Sequence, residues 1–254
     1  MRVIWLIMLS LLGIARVNAD TLYIAAASNL VYCLEALNTQ FTQQNPQLNL
    51  KVVTGSSGNL FAQIQQNAPF EVFLSADVLH PQKLVQQQQA DAHSLAIYSK
   101  GQIALWTNNP NVDVKKGLSV LLQPNIKRIA IANPQHAPYG QAAQAALQKQ
   151  QLWQPIQNKL VLGENIAQTL QFVQTRNAQV GFVALSLLRA PALAGQGQSW
   201  LIPQNLYPPL EQAMVVTKRG QANPWAYRYL QFLQSPSAQA IFSDYGFLLP
   251  AKST

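Results

Sequence analysis

Apolar positions along the chain fall into two alternating rhythms. Residues 21–26 (TLYIAA) and 48–53 are short β-branched or aromatic runs, which predict buried strands. Between them Leu30, Leu34, Leu37 and Phe41 recur at helical spacing, and Asn45-Pro46 ends that helix. After the second run comes TGSSGN, and Leu60 and Ile64 mark a second helix that stops near Asn67-Ala68-Pro69. Residues 70–76 (FEVFLSA) predict a third strand, with Asp77 as N-cap of the next helix. The rhythm continues with strands over 103–106, 128–132, 160–162, 180–185 and 213–217. Helices are expected over 141–149, 166–174, 224–233 and 237–242.

Strands that alternate with helices of this length predict an α/β fold with largely parallel sheets. No short fixed-period repeat is present. The pattern fits two lobes, with the chain crossing over near residues 98–102 and back near 206–210. On that basis residues 20–98 and 210–254 form one lobe and 99–209 the other, after a leader over 1–19.

The leader changes the picture of where the protein works. Arg2 precedes an apolar run over 3–12 that only Ser10 interrupts, and Val17-Asn18-Ala19 is a small-residue cleavage site. The run is too short to span a bilayer, so a secretory signal cut after Ala19 is expected. No Cys stands at the cut to carry a lipid, and no later stretch is apolar for long enough to cross a membrane. The mature chain is then a soluble exported protein without stable membrane insertion. The chain has 254 residues, and removing the first 19 leaves 235, enough for a proper core.

Charge excludes one class of partner. The formal net charge is +8, and without Arg2 and Arg16 it is +6. Only 10% of residues are charged, and Lys115-Lys116, Lys127-Arg128 and Lys218-Arg219 are the densest basic pairs. Nucleic-acid binding needs a clustered basic stripe, which is missing, whereas a mildly positive surface suits small anions. The single Cys33 falls on an apolar position of a helix and reads as a buried thiol. Nothing has the spacing of a cation site, and no organic cofactor motif is present.

The candidate chemistry sits where strands hand over to helices. Ligands of open α/β sheets lie beyond the carboxyl ends of the strands, and helix starts there offer unpaired N–H groups and a partial positive charge. Four junctions qualify: Ala27-Ser28-Asn29, Gly55-Ser56-Ser57-Gly58, Pro138-Tyr139-Gly140 and Glu164-Asn165-Ile166. Each alone reads as an ordinary N-cap. Two in each lobe suggest helix starts aimed at one anion.

AAAS after the first strand, the GSSG loop, FEVFLSAD, NPQHAPYG, GENIAQTLQFVQ, VGFVALS and the closing YGF resemble, in this order, the periplasmic molybdate-binding proteins of ABC importers. The resemblance spans essentially the whole mature chain. It implies a two-lobed (type II) periplasmic-binding-protein fold that closes on molybdate or tungstate. The expected partners are the importer's permease and ATPase, the compartment is the periplasm, and the expected state is a monomer. Carried over by position, Ser28 and Ser57 match the family's hydroxyl ligands. Tyr139 and Ile166 match its backbone N–H donors. Some members add a Tyr hydroxyl from the motif that reads VGFVALS here. Ala184 stands in that place, and Asn29 is the expected substitute, with simple helix capping as its alternative role.

A site made only of donors rejects a ligand that carries a proton, because an unpaired polar group in a closed site costs about 1–3 kcal/mol. Hydrogen phosphate is excluded that way, whereas sulfate must be excluded by size. Two rivals remain: a binder of another tetrahedral oxyanion such as sulfate or phosphate, and, more distantly, a secreted serine hydrolase. His80, His93 and His136 are the only histidines, and no nucleophile elbow is present. His136 is therefore expected to shape its loop.

Overall fold

The computed structural model describes residues 20–250, so the expected signal peptide lies outside the described residues. The first part of the chain forms β1 (Asp20–Ala27), α1 (Val31–Gln44), β2 (Leu48–Gly55), α2 (Ser57–Gln65), β3 (Val72–Leu74), α3 (Leu79–Gln86) and β4 (Ala96–Gly101). The middle forms β5 (Ile103–Thr107), β6 (Ile129–Ala132), α4 (Pro138–Lys149), α5 (Trp153–Ile156), β7 (Leu160–Gly163), α6 (Ile166–Gln174), β8 (Val180–Ala184), α7 (Leu185–Leu188) and β9 (Gln198–Leu201). The chain then returns through β10 (Leu210–Val216), α8 (Pro224–Leu233) and α9 (Pro236–Asp244).

The near-continuous apolar runs of β1, β3, β6 and β8 are explained by helices on both faces of each sheet. Leu22, Ile24 and Ala26 of β1 point into a core with Leu34, Leu37 and Phe41 of α1 and Tyr229 and Leu233 of α8. Ala25 and Phe73 point the other way, onto Leu60 and Ile64 of α2. A separate core serves the second sheet, from Ile129 and Ile131 to Leu147 and Leu170.

Two five-stranded sheets result, ordered β2-β1-β3-β10-β4 and β7-β6-β8-β5-β9. In each, four strands run in one direction and the fourth in spatial order, β10 or β5, runs against its neighbours. Each reversed strand is the one that arrives from the other lobe. The α/β expectation holds, but the sheets are mixed rather than simply parallel, because each crossover feeds a reversed strand.

Two strands, β4 and β9, lie outside the expected elements. β4 spans the expected lobe boundary between residues 98 and 99 and pairs with β10 as far as Gly101. β9 pairs with β5 in the Gly-rich stretch around Trp200. Both are edge strands with partial or no burial at several positions, so an apolar run does not announce them. The FEVFLSA strand is also shorter than expected. The turn after it is tied by Asp77, which accepts from Ser75 Oγ at 2.9 Å and pairs with the His80 ring at 2.7 Å. Burial opposes the Asp77 charge, yet the hydrogen bonds and charge of His80 prevail and hold its carboxyl below the usual range.

At the first crossover Gln102 is held from three sides. Its Nε2 donates to Gly246 O at 2.9 Å, its backbone O accepts from Leu185 N at 2.9 Å, and its Oε1 accepts from Gln204 at 3.3 Å. The YGF motif near the chain end thus braces the junction between the lobes.

Helix α4 reaches its place only because Gly140 lets it lie on the end of β6. A Cβ there would collide with the backbone O of Ala132, which cannot yield as a side chain can. Gly140→Ala is therefore expected to destabilise the protein by about 1–3 kcal/mol, the usual cost of overpacking, read by urea denaturation of the ligand-free protein.

Candidate functional site

The carboxyl ends of β1, β2 and β3 in one lobe face the loops after β6 and β7 in the other. Each loop ends in a helix start, and each start leaves donors that its own helix cannot use.

Ser57 is the first residue of α2, and its Oγ accepts from Ala76 N at 2.9 Å. With that lone pair engaged, the hydroxyl proton remains to be donated. Ser56 is the N-cap, accepting from Asn59 N. Ser28 opens a 3-10 turn after β1, and among the described residues its hydroxyl has no protein partner. Tyr139 follows Pro138 at the start of α4, and Ile166 opens α6. Asn165 caps α6 by accepting from Ala167 N and Gln168 N, both at 3.0 Å, which leaves the Ile166 N–H over. Among the described residues neither the Tyr139 nor the Ile166 N–H is taken by another protein group.

Ser28, Asn29 and Ser57 from one lobe and Tyr139 and Ile166 from the other line a single cavity of about 10 Å³. Roughly 10–15 Å³ is what a single water needs, so the closed cleft has no room for a metabolite with a carbon skeleton. No charged side chain lines it. Among the described residues no three His, Cys, Asp or Glu side chains are grouped to hold a cation.

The cleft is closed by bonds between the lobes. Gly58 N donates to His136 O at 2.9 Å, and a Cβ on Gly58 would lie only 2.8 Å from that oxygen. The His136 ring meets Ser56 Oγ at 2.9 Å, so His136 clasps the other lobe. Ser186 Oγ donates to Asn29 O at 2.7 Å. The Gln212 amide meets the Tyr139 hydroxyl at 3.1 Å.

Asn29 does not cap its turn, which has no side-chain cap. Its amide meets the Gln212 amide at 3.0 Å, and Tyr98 OH reaches the same Gln212 atom at 2.9 Å. Ala184 is buried at the end of β8, and the motif it belongs to supplies the clasp residue Ser186 instead of a Tyr hydroxyl. Burial pushes the hydroxyls of Tyr98 and Tyr139 well above the usual phenol range, so both keep their protons. Gln212, Tyr98 and Ser186 escaped the sequence reading. Gln212 gave no signal of its own, since it stands beside Glu211 ahead of the apolar residues 213–216 of β10.

Ser56, His136 and Glu164 stand in a row that resembles a hydrolytic triad. His136 Nε2 is 3.8 Å from a Glu164 carboxylate that is 68% exposed, too far and too wet to orient a base. Ser56 is meanwhile committed as a helix cap.

The chain matches the family model of bacterial extracellular solute-binding proteins over residues 22–248. It is 38% identical to the molybdate-binding protein ModA of Rhodobacter capsulatus, over 88% of this chain and 86% of that one. Identity to ModA of Azotobacter vinelandii is 37%, over 91% of this chain and 90% of that one. The chain belongs to the ModA family of solute-binding proteins. A solved periplasmic molybdate-binding protein of Azotobacter vinelandii superposes with a TM-score of 0.85 at 34% identity, over 91% of this chain and all of the other. The two-lobed fold expected from the sequence is the fold of this family.

Membership in a family of solute carriers accounts for the Ser56–His136 contact as a clasp. Ser56→Ala is expected to lower the melting temperature through loss of the cap, worth about 1 kcal/mol. It should leave hydrolysis of a chromogenic ester at the background of the wild type, and an esterase activity abolished by this substitution would restore the triad reading.

Proposed function

We propose that this protein captures molybdate, and tungstate with it, in the periplasm and hands it to the permease and ATPase of an ABC importer. One observation carries the reading: donors from both lobes converge on a small cavity without a single charged side chain. A tetrahedral dianion offers many acceptor sites, and hydrogen bonds to a charged group are roughly twice as strong as neutral ones. Helix starts supply the compensating partial charge without a buried Lys or Arg. The proposed ligands are the hydroxyls of Ser28 and Ser57, the backbone N–H groups of Tyr139 and Ile166, and Asn29. The molybdate-binding relatives support the choice of ion. In this role the protein is a carrier without catalysis, works without a cofactor, and acts as a monomer after export.

The donor-only wall also supports rejection of hydrogen phosphate, whose proton would find no acceptor. Rejection of sulfate follows from size. Thermal shift with matched concentrations of the four ions tests both points. Molybdate and tungstate at 100 times their Kd should add about 2.7 kcal/mol, with sulfate and phosphate far weaker. Equal shifts with sulfate would remove the size argument, and no shift with any oxyanion would remove the reading.

Asn29→Ala should weaken molybdate binding about ten- to a hundredfold, the worth of one hydrogen bond to a charged group, measured by titration calorimetry. Entry of the ion requires the lobes to part, since its proposed ligands lie on both. Small-angle scattering should accordingly report a smaller radius of gyration when molybdate is added, and an unchanged radius with binding confirmed would contradict the clamp.

A further inference from the structure

Gln212 is fully buried in β10, and its side chain takes no part in the cleft wall. Its amide touches three polar groups: the Asn29 amide at 3.0 Å, the Tyr98 oxygen at 2.9 Å and the Tyr139 oxygen at 3.1 Å. Heavy-atom positions do not distinguish the O from the N of an amide, so the network itself must decide which way each amide faces.

Suppose first that Gln212 Oε1 faces Asn29 and Tyr98. Tyr98 then has one proton and two acceptors, Gln212 Oε1 and Ser75 O at 3.1 Å. Asn29 Oδ1 is left buried without any partner. Exchanging O and N in both amides resolves the conflict at Tyr98 without moving an atom, and it leaves a donor rather than an acceptor at the buried Asn29 position that has no protein partner. Gln212 Nε2 then donates one proton to Asn29 Oδ1 and the other to the Tyr98 oxygen. Tyr98 donates to Ser75 O, and Tyr139 donates to Gln212 Oε1. The Asn29 NH₂ now occupies the position that had no partner. Asn29 lines the cavity beside Ser28 and Tyr139, and only its other amide atom is spent on Gln212.

We propose that Gln212 is a positioning residue that fixes the Asn29 amide with its NH₂ toward the ligand. It thereby determines the selectivity of the site. An Asn amide is ambivalent, since a half-turn replaces two donors with an acceptor. With Gln212 in place, the contact at Asn29 is a donor, which suits a fully deprotonated dianion. Without it, Asn29 can turn its carbonyl to the cleft and accept the proton of hydrogen phosphate. This inference rests on the oxyanion reading and adds the residue that sets the sign of one contact.

The test is calorimetry at pH 7 on the wild type, Gln212→Met, Asn29→Ala and the double variant, with phosphate affinity read by competition against molybdate. Gln212→Met should weaken molybdate about tenfold or more, the worth of a misdirected hydrogen bond. Phosphate should not weaken in parallel, so the preference between the two ions narrows by about tenfold. In the Asn29→Ala background the further change from Gln212→Met should stay within about threefold, because the two residues act as one unit. A merely structural Gln212 would weaken both ions equally and add to Asn29→Ala, and either result overturns the proposal. Molybdate binding by the wild type separates the two claims: its absence overturns the functional reading and this inference together, whereas binding with an unchanged preference in Gln212→Met overturns only the inference. Neutron diffraction from the molybdate-bound wild type checks the same point without a substitution. Deuterium on Asn29 should point at the anion, and an Asn29 deuteron on Gln212 would refute the assignment.

Discussion

A helix start buried in a closed cleft must find an acceptor for N–H groups that its own helix cannot use. Much of this structure follows from that requirement at α2, α4 and α6. At α2 the need is shared between the Ser56 cap and the cross-lobe bond from Gly58 to His136. At α6 Asn165 takes the second and third N–H groups and leaves the first. At α4 Pro138 has no N–H to satisfy, and Tyr139 is the first to offer one. What remains after this local pairing points at one small space between the lobes. The proposed anion would complete that pairing without a charged side chain in the wall.

The same accounting explains how closure can respond to a ligand. The bonds that join the lobes directly, at His136, Ser186 and Gln212, are few, and each is worth about 0.5–1.5 kcal/mol net. A clasp of that size holds the lobes weakly. A ligand bonded to both lobes interacts with the closed state alone, and this difference in affinity is what shifts the balance.

Ser56, His136 and Glu164 show why function has to be argued from geometry rather than from residue types. A serine, a histidine and an acid in line suggest a hydrolase, but distance and exposure deny the histidine its orienting partner. The serine's lone pair serves a helix end. Ser56 and His136 make sense instead as a latch between the lobes.

The sequence by itself determined the alternation of strands and helices, because a strand buried on both faces must be apolar throughout and a helix buried on one side must repeat its apolar residues every three or four. It also determined the four helix starts that carry Ser28, Ser57, Tyr139 and Ile166, because caps and turns are local chemistry written in neighbouring residues. The edge strands β4 and β9 were not legible, since a half-exposed strand needs no apolar run. Only the tertiary structure decided that the four starts converge, for convergence depends on two crossovers far apart in the chain. It also decided the surroundings of Asn29. Its neighbours Gln212, Tyr98 and Ser186 lie between 69 and 183 residues away, and the direction of an amide is fixed by which donors and acceptors the fold brings against it.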